Sequence, residues 1–157
     1  MTAIDLHALM GIALDEALAA TDHDDVPVGA VVVRLDTGEV VARRHNEREL
    51  LADPTAHAEI LAMRDAAISR GSWRLDGHLL VVTLEPCPMC AGALLAARVE
   101  RVVFGAANTD SGACGTLYNL CVDPRLNHEV AVVPCVRAEA SAALLDGFFA
   151  ERRSAAP

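Results

Sequence analysis

Cys87 and Cys90 stand three positions apart in TLEPCPMCAGAL (residues 83–94), where an apolar run gives way to an alanine-rich one. Such a pair could clamp a metal, cycle as a dithiol or be two buried thiols. Thirty residues upstream, DPTAHAEIL (53–61) carries His57 and Glu59. One imidazole and two thiolates supply three ligands of a tetrahedral zinc and leave the fourth position to water, as in hydrolytic sites. Zinc brings the pKa of its water to about 7, and a carboxylate beside it, here Glu59, could carry the proton. A closed structural site needs a fourth ligand. No second CxxC and no HxxxH exists, and spacing alone leaves Cys114 and His128 open.

These residues act together only if the fold gathers them. Residues 4–20 carry apolar side chains at a helical period, and TDHDDVP breaks that helix. VGAVVVRL (28–35) and EVVARRH (39–45) are β-branched runs around DTG, a hairpin signal. Residues 46–55 form a loop ending in Thr55, a candidate cap for a helix over 56–71 that Gly71 closes. A buried strand follows over 77–85, then a helix over 88–99 and a short strand over 101–106. Residues 107–128 show little period and read as a loop; 129–136 is a last strand and 137–153 a last helix. The order α-β-β-α-β-α-β-β-α predicts one domain, a three-layer α/β/α sandwich on a mixed five-stranded sheet. His57 and Cys87 both fall at helix starts, and neighbouring helix starts gather at the carboxyl ends of parallel strands. Unpaired N–H groups there also favour thiolates.

H-A-E followed by P-C-P-M-C fits the signature of the zinc nucleobase deaminases. Around it, VPVGAVVV, DPTAHAEILAMR, VTLEPCPMCAGAL, RVVFGA, LNHEV and AALLDGFFAERR resemble successive blocks of the bacterial tRNA-specific adenosine deaminases, in the cytidine deaminase superfamily. The resemblance runs from about residue 5 to 153. It implies a homodimer with one zinc per subunit, held by His57, Cys87 and Cys90, that converts the wobble adenosine of a tRNA anticodon loop to inosine. Glu59 would then protonate N1 of adenine and the departing ammonia. Asn46 matches the family asparagine that hydrogen-bonds the base, and Ala58 and Pro86 would line the pocket wall. An anticodon loop offers its base already unpaired, so little unstacking energy is needed.

Composition sets further bounds. The 157 residues are 53% hydrophobic and 22% charged, a globular balance. No stretch is long and apolar enough for a membrane span, and the first residues are acidic where a secretory signal is basic. Five cysteines, three of them scattered, fit reduced thiols better than a disulfide framework. A cytoplasmic protein is expected. All thirteen basic residues are arginine and the formal net charge is −9, which opposes non-specific binding to nucleic acid without excluding a local basic patch.

Plainer readings stand beside these. Glu59 could serve only the helix start, and Asn46 only a turn. Phe148 is expected in the core. Phe149 with Arg152 and Arg153 could offer RNA an aromatic, basic edge, or be a solvated helix end. Asn108 opens the loop after VVFGA, a further candidate RNA contact, although ANTDSG carries no basic residue where many relatives have charged ones. Cys114, Cys121 and Cys135 are expected as small buried residues. Three rivals keep part of the pattern. A deaminase of free guanine, cytosine or a related heterocycle shares the four site residues and suits the acidic charge. A thioredoxin-like oxidoreductase uses the CxxC and leaves His57 and Glu59 unexplained. A zinc-stabilised binding module has the metal without turnover.

Overall fold

The computed structural model describes residues 3–157. Strands β1 (Gly29–Arg34), β2 (Val40–His45), β3 (His78–Leu84), β4 (Arg101–Ala106) and β5 (Ala131–Val133) form one sheet in the order β2-β1-β3-β4-β5. The hairpin pair is antiparallel, β1 also runs antiparallel to β3, and β3, β4 and β5 are parallel. A helix over Pro88–Ala97 carries the chain from β3 to the parallel β4, whereas the long segment 107–130 makes the crossover to β5.

The central strands alternate between two apolar layers. Val31, Val33, Leu79 and Val81 join α1 (Leu6–Ala20) and α5 (Ala138–Ala155) through Leu9, Met10, Ala13, Ala140 and Leu144. Ala30, Val32, Leu80 and Val82 face α3 (Ala58–Arg70) and α4 (Pro88–Ala97) through Ala62, Met63, Ala66, Ala91 and Leu94. This is the expected three-layer sandwich. Asp5 caps α1 by accepting the Ala8 N–H at 3.0 Å. Against β1 that helix lies so close that a Cβ at Gly29 would stand 2.0 Å from the Ala13 carbonyl oxygen. Gly71 closes α3 in the left-handed conformation.

Several boundaries differ from expectation. Residues 46–55 contain a short helix, α2 (Arg48–Leu51), because the Asp25 carboxylate reaches across to accept the Glu49 and Leu50 N–H groups at 3.0 and 3.3 Å. Thr55 does not cap α3: His57 occupies the N-cap, and the Thr55 hydroxyl and N–H both turn to Asp53. The last strand is three residues long, and a single 3-10 turn (Leu120–Val122) interrupts the 107–128 loop. Cys114 and Cys121 are buried, but Cys135 is exposed, because it lies in the left-handed turn between β5 and α5. Phe148 is half-buried at the edge rather than in the core, with the Arg152 guanidinium 4.3 Å from its ring centroid. No described helix is long and apolar enough to cross a membrane.

Candidate active site

Two helix starts meet beside the carboxyl end of β3. His57 is the N-cap residue of α3 and Cys87 that of α4, which Pro88 opens with a pre-set φ and no N–H to leave unpaired. Cys90, one turn into α4, is fully buried, whereas His57 and Cys87 are half-buried and face the opening. His57 Nδ1 lies 3.5 Å from Cys90 Sγ and 3.7 Å from Cys87 Sγ. Among the described residues these form the one trio of His, Cys, Asp or Glu ligand atoms that all lie within 4.8 Å of one another. The arrangement could hold a metal ion, and it selects Nδ1 as the nitrogen that faces it.

The trio shares its protons unevenly. A hydrogen bond from Cys90 holds the Cys87 thiol down to about 4, while that contact and burial push Cys90 up. The hydrogen bond to Cys87 raises His57. Metal binding takes thiolates and a neutral imidazole from such a set. Glu59, the second residue of α3, is buried beside them. Burial first of all pushes its carboxyl up to about 7, against a backbone hydrogen bond and the His57 imidazole, which favour its charge. A carboxyl so placed can both accept and release a proton near neutral pH.

Asn46 follows β2 directly and is buried. Its Oδ1 accepts the Ala58 N–H at 3.0 Å and its Nδ2 donates to the Val26 carbonyl at 3.1 Å, so it caps α3 from outside and sets where His57 and Glu59 point. One Nδ2 hydrogen is left over for a ligand. Ala58 and Pro86 are buried beside the metal-facing residues. Asn46→Ala is expected to lower stability by about 1–3 kcal/mol, since it leaves the buried Ala58 N–H unpaired, while the Val26 carbonyl keeps its bond from the Val28 N–H. Chemical denaturation checks this; an unchanged midpoint would remove the capping role.

The expected RNA-facing residues stand apart from this group. Asn108 spends its side chain inside its own turn, with Oδ1 accepting the Asp110 and Ser111 N–H groups at 3.1 and 3.0 Å. Phe149 is 43% exposed. Arg152 donates to the Asp24 carbonyl at 2.5 Å and Arg153 is exposed at the end of α5.

Glu85 was not singled out from sequence and organises one wall of the site. It follows β3 and is buried. Its carboxylate accepts the N–H groups of Asn108, Cys114 and Thr116 at 3.1, 3.1 and 3.0 Å, together with the Thr116 hydroxyl. Burial would raise this carboxyl, and its donors, Thr116 foremost, hold it below the usual carboxylate range instead. The available signal was a carboxylate ending a buried apolar strand directly before Pro-Cys.

The geometry matches known proteins. Residues 4–153 match the MafB19-like deaminase family. A tRNA-specific adenosine deaminase of Bacillus subtilis is 48% identical over 90% of this chain and 86% of its own length. A solved structure from a study of A-to-I editing by tRNA:A34 deaminases at the wobble position of transfer RNA superposes with a TM-score of 0.84 at 40% identity, covering 88% of this chain and 99% of that one. A guanine deaminase from Nitrosomonas europaea has a TM-score of 0.78 at 26% identity, over 96% of this chain and 87% of that one. On the strength of these matches the chain belongs to the family of tRNA-specific adenosine deaminases.

Proposed function

We propose that this chain is a zinc hydrolase that deaminates the wobble adenosine of a tRNA anticodon loop to inosine. The observation that carries it is the His57, Cys87 and Cys90 trio with the Glu59 carboxylate buried beside it. The donors fit zinc: bond lengths of about 2.3 Å to sulfur and about 2.0–2.1 Å to nitrogen in a tetrahedron separate S from N by about 3.5 Å. The separations here are 3.5 and 3.7 Å. When bound, zinc supplies the Lewis acidity that makes water nucleophilic at neutral pH.

The protein's own residues do the rest. Water adds at C6 of adenine and ammonia leaves, so two protons must be relocated. Glu59 takes one from the attacking water and places it on N1, then passes a proton to the departing amino group. Asn46 holds the α3 start and offers its remaining N–H to the base. Ala58 and Pro86 exclude water around it. Phe149, Arg152, Arg153 and the loop opened by Asn108 are the proposed edge toward RNA.

The enzyme acts as a homodimer in the cytoplasm, where tRNA resides. An apolar groove between α3 and α4, lined by Ile60, Met63, Ala67, Trp73, Ala93 and Ala97, supports the pairing. The net charge of −9 and the likeness to a guanine deaminase favour a second reading, deamination of a free base. Zinc-loaded protein is offered an anticodon stem-loop with adenine at the wobble position, beside free guanine, adenine, cytosine and cytidine. Inosine in the stem-loop alone is expected. Ammonia from a free base with the stem-loop untouched would move the chain to nucleobase salvage.

A further inference from the structure

We propose that His23 and His45 form a second metal site, which takes a divalent transition-metal ion of the zinc, cobalt or nickel class between their facing Nε2 atoms. His23 ends the single turn after α1 and His45 ends β2, and their Nε2 atoms lie 3.1 Å apart. Each ring spends its other nitrogen on a carboxylate: His23 Nδ1 on Asp25 at 2.7 Å and His45 Nδ1 on Glu16 at 3.0 Å. Carboxylates that accept at Nδ1 keep the hydrogen there and leave a lone pair on each Nε2, at the neighbouring edges of two rings tilted by 31°. Two lone pairs so close need a cation between them, either a proton or a metal ion.

Several features favour the metal. Ligating histidines characteristically carry a carboxylate on the second nitrogen, and here both do. Two nitrogens at about 2.0–2.1 Å from a tetrahedral ion lie about 3.3 Å apart, a few tenths from the separation present. Water fills the remaining positions, and Glu47, whose Oε1 lies 3.9 Å from His45 Nε2 while its Oε2 is held by Arg44 at 2.8 Å, adds negative charge beside them. Glu16, Asp25 and Glu47 outnumber the paired Arg43 and Arg44, so the surroundings suit added positive charge. The rings keep 18% and 19% of their surface exposed, enough for an ion to enter.

The site is separate from the deaminase centre. His45 turns to α1 through Glu16, whereas its neighbour Asn46 turns to α3. The ion ties the end of α1 to the end of β2, and Asp25 extends that tie to α2.

The test uses untagged protein already holding its first zinc, titrated with Co2+ and followed by visible absorption and metal analysis. One equivalent of Co2+ beyond the zinc is expected, with ligand-field bands and none of the near-ultraviolet sulfur-to-cobalt charge transfer that exchange at the cysteines would bring. His23→Gln and His45→Gln should each lose that equivalent. Glu16→Gln, which keeps both ligands, should weaken it by about 10-fold. No second equivalent in the wild type at millimolar Co2+, or its retention in either histidine variant, would overturn the site and leave a shared proton as the link between the rings.

Discussion

Glu59→Gln is expected to cut turnover on the stem-loop substrate by about 10²–10⁴-fold while zinc content and thermal midpoint stay near wild type. The amide matches the carboxylate in shape, so the pocket beside His57 and Cys90 remains filled. It cannot carry a proton from water to N1 or to the departing nitrogen. Because N1 must be protonated as C6 becomes tetrahedral, the loss should fall on kcat rather than KM. Single-turnover kinetics with parallel metal analysis separates the outcomes. Full activity in the variant would end the proton-carrier role. Loss of zinc alongside activity would instead assign Glu59 to holding the metal site together.

Much of this site was legible because its residues lie in two short segments, each at a helix start. The run His78–Leu84 is apolar on both faces, which only a strand covered by two layers satisfies, and both faces are buried. Because β2 and β3 both run antiparallel to β1, they share a direction, so α3 after β2 and α4 after β3 begin at the same edge of the sheet and His57 approaches Cys87 and Cys90. What escaped the sequence depends on partners far along the chain. The four-residue α2 is too short to show a period, and Asp25, more than twenty residues earlier, holds its start. His23 and His45 are 22 positions apart and meet only because Glu16 of α1 lies across the end of β2. Val130 and Val136, inside the expected strand 129–136 but outside Ala131–Val133, are buried all the same, so hydrophobicity overstated the length of pairing.

Glu85→Ala should be the most damaging change outside the metal trio. The carboxylate is the common acceptor for Asn108, Cys114 and Thr116, residues 23, 29 and 31 positions later, so one side chain folds the whole 108–116 segment against the end of β3. The wrap is close: a Cβ on Gly112 would lie 2.6 Å from Glu85 Cδ. Alanine removes every acceptor at once and leaves three N–H groups facing a void. Each orphaned donor costs about 1–3 kcal/mol, and partial relaxation and entering water bring the expected sum to about 3–5 kcal/mol. For a chain of this length that is a fall of about 10 °C in Tm. Glu85→Gln keeps one acceptor oxygen but turns an NH2 toward N–H donors, and should fall between the two. Because the Ala113 N–H also binds the Pro86 carbonyl at 2.9 Å, beside Cys87, loosening this segment should disturb the pocket wall as well. Hydrogen exchange reads that directly. Amides 108–116 should lose protection in Glu85→Ala while β1 and β3 keep theirs, and stem-loop turnover should drop with KM rising. A Tm within 2 °C of wild type, or undiminished protection at Cys114 and Thr116, would mean that the loop is held by its own turns and that Glu85 merely occupies the space they leave.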